Sequence, residues 1–256
     1  MGHILRGIWK LIAALLVVVL VIAAAFWFMV LAKLSPIVAS APVAGVGVVK
    51  DGMVAVGMLD VGDRKVVLID AGNDAAGKAV LSALSQQGLG ASAVAAIFLT
   101  HGHPDHTAGC HLFPKAEIYA LQADVALVEG QQDSHGPLTR FMGHKPTGIH
   151  VTHALHGGEV VKVGSKTIRV FAVPGHTPGS AAYLVANYLF LGDSANITSW
   201  GELVGALWPM SDDTALNHAS LKALANTLRP EGGSILAVVP AHSGMGTFHA
   251  LSAFAP

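Results

Sequence analysis

The sequence predicts a layered α/β domain preceded by one transmembrane helix. Three observations predict it. Leu11 to Ala32 is a run of 22 residues without a charge or a Pro. From Val43 onward, short apolar runs bounded by Gly, Asp and Pro alternate with helical stretches in two successive series. Finally, residue types that bind metals recur just past the ends of those runs, where a rigid sheet can aim loop side chains into one place.

The composition separates into two parts along the same line. Apolar residues make up 52% of the 256 and charged residues only 12%, against about 25% charged in average soluble domains. An apolar helix of that length measures about 33 Å, enough to cross a hydrocarbon core of about 30 Å. Trp9 lies near one end of the run, and Trp27 and Phe28 near the other, where interfacial aromatics tend to sit. Arg6 and Lys10 precede it and only Lys33 directly follows, so the positive-inside rule puts the N-terminus in the cytoplasm and the rest outside. The alternative is a cleaved signal peptide, since Ala39-Ser40-Ala41 has the small-x-small pattern and would release a secreted domain. Three of the 15 basic residues precede Pro42 and all 16 acidic ones follow it, so the remainder carries twelve cations against sixteen anions, a balance of −4. That excludes the basic patch of a nucleic-acid enzyme, and a single Cys excludes an intrachain disulfide framework.

The elements follow in order. Residues 1–34 form the anchor, 35–42 (SPIVASAP) a linker, and 43–256 the globular domain. VAGVGVVK, MVAVGMLD and KVVLID read as strands separated by turns at Asp51-Gly52 and Gly62-Asp63. Asn73 is placed to cap a helix running to about Gln87, stopped by Gly88. AVAAIFLT (93–100) reads as a buried strand, 117–120 as another, and 122–129 as a short helix. Residues 130–157 have no clear periodicity and hold five His, which suggests a long lid-like loop. Strands resume at 159–163, 167–173, 181–186 and 188–191. A helix over 213–228 is ended by Arg229-Pro230, and ILAVV (235–239) is a last strand. The domain therefore reads as two similar αβ halves.

The chemistry concentrates at THGHPDHTAG (100–109), where His101, His103, Asp105 and His106 fall within six positions directly after a buried strand. Imidazole and carboxylate together suit zinc and also iron. Three later positions have the same context: His176 in PGHTPGS, Asp193 in LFLGDS and His242 in VVPAHSG each follow an apolar strand. Cys110 reads as a small buried residue rather than a nucleophile or ligand.

With Asp70 in VLIDAG, this pattern resembles the metallo-β-lactamase superfamily of metallohydrolases across essentially all of 43–256. The resemblance implies a four-layer αβ/βα sandwich with metals at one edge of its two sheets. It implies that His101, His103 and His176 bind one metal and Asp105, His106 and His242 a second, with Asp193 bridging both. Asp70 would orient a ligating imidazole. The expected cofactor is two Zn2+ per chain, with Fe the alternative. Two such ions can share a water and lower its pKa toward 7, so the implied reaction is attack by a bridging hydroxide on an ester, thioester or lactone. Asp105 would guide the proton of that water.

The bridging Asp and the PGHTPGS segment are most similar to the glyoxalase II-like, thioesterase and lactonase branch. Only 14 residues follow His242, so the glutathione-holding helical region of glyoxalase II is not expected, and a different small-molecule substrate is. A mononuclear iron persulfide dioxygenase and a β-lactam hydrolase are the alternatives. Two loops would sense the substrate. One carries His135, Arg140, Phe141, Met142 and His144, and the other carries Trp200, Leu203, Leu207, Trp208 and Met210. Mixed apolar and aromatic walls suit an acyl or lactone substrate. Nothing in the sequence points to an oligomeric state.

Overall fold

In a computed structural model of the chain, residues 2–29, 31–43, 45–141 and 143–254 are described. They form two compact units, residues 1–34 and 35–256. The first is helix α1 (Gly2–Met29) followed by a single 3-10 turn. Its Arg6–Ala25 segment is long and apolar enough to cross a bilayer, and none of it is buried. The core helix of a soluble protein would instead hide much of that surface.

The second unit runs β1 (Ser40–Val43), β2 (Val46–Asp51), β3 (Val54–Gly62), β4 (Lys65–Ile69), α2 (Lys78–Gln86), β5 (Val94–Phe98), α3 (Pro104–Thr107), β6 (Glu117–Leu121), α4 (Val125–Val128), β7 (His153–Leu155) and β8 (Val160–Val163). It continues with β9 (Lys166–Ala172), β10 (Ala181–Val185), β11 (Tyr188–Gly192), β12 (Ala195–Ile197), β13 (Leu203–Gly205), α5 (Thr214–Leu228), β14 (Ala237–Pro240) and α6 (Phe248–Ser252). Strands β1 to β7 form one sheet in sequence order, antiparallel as far as β4 and parallel from β4 to β7. The second sheet has the order β14-β11-β10-β9-β8, with β11 and β14 parallel. The first sheet contains three parallel crossovers, β4–α2–β5, β5–α3–β6 and β6–α4–β7, and the second one, β11–α5–β14, so each αβ half expected above has its own sheet and crossover helix.

Side-chain alternation along the strands explains the layers. On β4, Val67 and Ile69 face the core between the sheets, while Val66 and Leu68 face the layer that holds Val80 and Leu84 of α2. On β10, Tyr183 and Val185 face the same central core, while Ala182 and Leu184 face α5 through Leu221 and Leu224. Both faces of each central strand are covered, so these strands read as continuous apolar runs instead of alternating ones. The result is helix, sheet, sheet, helix.

Several expectations are corrected at element ends. Helix α2 starts at Lys78, not near Asn73. The Asn73 and Asp74 amides donate to Asp51, and Asp74 accepts from Ala76 and Lys78, which holds 73–77 as a turn. Residues 35–42, read as a linker, make backbone contacts within the second unit. The Ser35 amide donates to Ile197 O at 2.8 Å, the Gly244 amide to Ser35 O at 2.9 Å, and Ser40 pairs with Val48. The 130–157 loop contains β7, formed because Tyr119, Ala120 and Leu121 offer it an open parallel edge. The 194–212 segment contains the β12–β13 hairpin, and α6 is an element with no expectation behind it.

Candidate metal centre

Each candidate site residue follows the C-terminal end of a strand. Asp70 follows β4, the HGHPDH segment follows β5, His176 follows β9, Asp193 follows β11 and His242 follows β14. The edge they share is where open α/β sheets usually hold their ligands. Two backbone features keep them there. Gly192 has φ +53°, and a Cβ on it would lie 2.4 Å from Thr100 Oγ1, so β11 can meet the 100–106 segment only with Gly before Asp193. Asp70 itself adopts a left-handed φ of 63°, the kind of outlier that clusters at functional sites.

The seven side chains converge. His176 Nε2 lies 3.1 Å from His101 Nε2 and 3.0 Å from His103 Nδ1. His242 Nε2 lies 3.2 Å from Asp105 Oδ2 and 3.1 Å from Asp193 Oδ2, and His106 Nε2 lies 3.1 Å from Asp193 Oδ1. Asp193 Oδ2 is also 3.5 Å from His176 Nε2, so this carboxylate stands between the two groups. Among the described residues, the clusters able to hold an ion are His101/His103/His176, His101/His106/Asp193 and Asp105/His106/His242.

The outer ring nitrogens fix how the imidazoles face. Thr100 Oγ1 donates to Asp70 at 2.8 Å, so at 3.2 Å it accepts from His101 Nδ1. Ser211 Oγ donates to Leu207 O and therefore accepts from His176 Nδ1 at 3.0 Å. Ser134 Oγ donates to Asp212 Oδ1 at 3.2 Å and accepts from His103 Nε2 at 3.1 Å. His106 Nδ1 donates to Asp70 Oδ2 at 2.8 Å, and His242 Nδ1 to Met53 O at 2.8 Å. Every outer nitrogen is a donor, so the inner nitrogen of each ring is the one that faces the cluster.

Electrostatics agree with a cation site. Burial lowers His101 well below the ordinary imidazole value and His176 to about 3, so these rings are neutral. Burial would also lower His106 and His242. The carboxylates beside them outweigh it, holding His106 well above its usual value and His242 at about 10. Burial would raise Asp193, but His242 and His106 pull it well below the carboxylate range. His106 Nε2 and Asp193 Oδ1 are buried and have no hydrogen-bond partner. Two buried ligand atoms 3.1 Å apart that meet only as an ion pair, beside three converging imidazoles whose burial favours the neutral form, fit metal ions.

Ser134, Ser211, Thr100 and the Met53 carbonyl were not legible as site residues, because nothing local marks a distant hydroxyl or carbonyl as an imidazole's partner. Cys110 is buried and its thiol is pushed up to about 12, chiefly by burial, so it is inert. The five His of 135–156 stay outside the clusters. His144, His150 and His153 instead pair with Asp133, Glu129 and Glu117. His135, Arg140, Phe141, Trp200 and Trp208 are exposed, Leu207 and Met210 are half-buried, and Leu203 is buried. Met142 lies outside the described residues.

Residues 49–242 match the model of the metallo-β-lactamase superfamily. The chain belongs to that superfamily. Within it, the chain is 30% identical over 159 residues to a hydroxyacylglutathione hydrolase of Xanthomonas axonopodis pv. citri, covering 62% of this chain and 53% of that one. A hydroxyacylglutathione hydrolase of Serratia proteamaculans is 34% identical over 108 residues, covering 42% and 36%. The chain thus spans about half or less of these curated relatives. BJP-1, a subclass B3 metallo-β-lactamase of Bradyrhizobium japonicum, superposes with TM-score 0.61 at 20% identity, covering 82% of this chain and 79% of that one. A metallo-β-lactamase family protein of Thermus thermophilus gives 0.59 at 23% identity, covering 82% and 77%. These superpositions show the αβ/βα superfamily fold.

Proposed function

We propose that the chain is a metal-dependent hydrolase of esters, thioesters or lactones that works with two zinc ions. The observation that carries this reading is the pair of donor sets sharing Asp193, with every outer imidazole nitrogen occupied by an acceptor. The hydroxyacylglutathione hydrolases it resembles are named for a thioester, which supports the reaction class. His101, His103 and His176 would hold one ion, Asp105, His106 and His242 the other, and Asp193 both. Bound there, the ions would supply a nucleophile at neutral pH and polarise the carbonyl under attack.

The chain's own residues do the rest. Asp193 holds the two donor sets together. Asp70 orients His106 directly and His101 through Thr100. Asp105 is 27% exposed beside His242, the most open of the carboxylates, and is placed to accept a proton at Oδ2. Met53, Leu138, Phe141 and Trp208 are exposed apolar residues on segments that touch the site. Met53 O holds His242, Leu138 N donates to Pro209 O, and Trp208 begins the turn that leads to Ser211. This rim supports an apolar acyl group in the substrate.

The organisation read from the sequence belongs to the same proposal: residues 1–34 as a membrane anchor, 35–42 as the connection, and 43–256 as an extracytoplasmic hydrolase domain. Metal analysis of the zinc-replete chain, paired with a panel of thioesters, lactones, β-lactams and phosphodiesters, tests the function. About two metals per chain and turnover of acyl substrates are expected. Fewer than about one metal per chain, or a fully loaded protein that turns over none of the panel, would sink it.

A further inference from the structure

Asp124 is a fully buried carboxylate outside both donor sets. It follows β6 and opens α4. Its Oδ2 accepts from the Gly102 amide at 3.0 Å and from the Thr177 hydroxyl at 2.7 Å, and its Oδ1 accepts from the Gly179 amide at 2.6 Å. Gly102 is the residue between His101 and His103, and Thr177 directly follows His176. The carboxylate therefore ties the two loops that present the three-histidine set, one leaving β5 in the first sheet and one leaving β9 in the second. Both loops meet it with bare backbone. A Cβ on Gly179 would lie 2.5 Å from Asp124 N, and one on Gly102 would lie 2.8 Å from Val128 N in α4.

We propose that Asp124 is a positioning residue for the three-histidine set, holding His101 and His103 at ligating distance from His176 by clamping Gly102, Thr177 and Gly179. This rests on reading that set as a metal site and is independent of which reaction follows. A carboxylate is required because three donors converge on two oxygens. An amide offers one oxygen and turns an NH2 toward a donor, so at least one arm of the clamp is lost. The set of Asp105, His106 and His242 lies outside the clamp.

The test uses Co2+ as the probe and the full-length chain. A His242→Ala background leaves the three-histidine set complete and breaks the other. In it, Asp124→Asn should weaken Co2+ binding by about tenfold or more and alter the visible d–d bands of the bound ion. Thr177→Val, which removes a single arm at nearly constant shape, should move both readouts the same way by a smaller amount. In a His176→Ala background, Asp124→Asn should leave Co2+ binding at the other set within about twofold. Unchanged affinity and spectrum in folded Asp124→Asn protein would overturn the proposal, as would equal weakening of both sets. If Asp124→Asn does not fold, Thr177→Val decides alone, and wild-type affinity there overturns it. A wild-type chain that binds metal and hydrolyses nothing would sink the hydrolase reading and leave this one standing.

Discussion

Asp193 and Asp70 are both acidic, but they differ in what they touch. Asp193 faces His106, His242 and His176, so Asp193→Ala removes the only carboxylate common to both sets. Metal content should fall from about two toward one per chain, and turnover by about 100-fold or more; retained activity would contradict its proposed role. Asp70 touches His106 and Thr100, so Asp70→Asn should preserve the donor set while loosening its aim. Metal affinity should drop about 10- to 100-fold, read by equilibrium dialysis. Protons compete with metal unequally at the two sets. In the metal-free protein His242 is held at about 10, so below that pH a cation must displace its proton. His176, at about 3, has none to displace near neutrality. Lowering the pH from 8 to 5 should therefore empty the set containing His242 first, by roughly tenfold in affinity per unit per displaced proton. Parallel loss from both sets would contradict this.

Among the elements, strands were more legible than loops. The runs KVVLI, VAAIF and YLFLG could be read locally because both faces of each are buried, which leaves few polar interruptions. The ends were less legible because they depend on distant partners. Asp51 decides where α2 begins, and β6 decides that 153–155 is a strand. At the β11 end, Gly192→Ala adds a Cβ 2.4 Å from Thr100 Oγ1 at positive φ. It should destabilise by about 1–3 kcal/mol and displace Asp193, so a denaturant melt and metal content should both fall. On the outer helical layer, Leu84 is fully buried among α2 and sheet residues. Leu84→Ala should cost about 2–5 kcal/mol in the same melt without changing metal stoichiometry.

At the scale of the molecule, α1 is the most concentrated apolar stretch, while most of the apolar residues lie in the second unit, where they build the sandwich core. The proposed anchor predicts that the intact chain stays with membranes after alkaline carbonate extraction. A soluble extracytoplasmic product beginning just after Ala41 would favour cleavage instead. The sequence by itself marked the strand series and the seven metal-binding residue types just past apolar strands, while the layer order and the grouping of those residues came through the resemblance their motifs carry; parallel crossovers bring the strand ends to one edge. Only the tertiary structure decided which nitrogen of each imidazole points inward. The groups that set those tautomers lie far along the chain, Ser134 at 31 residues from His103, Ser211 at 35 from His176 and the Met53 carbonyl at 189 from His242. A hydrogen bond over such separations leaves no local pattern, since it exists only once the two sheets have packed.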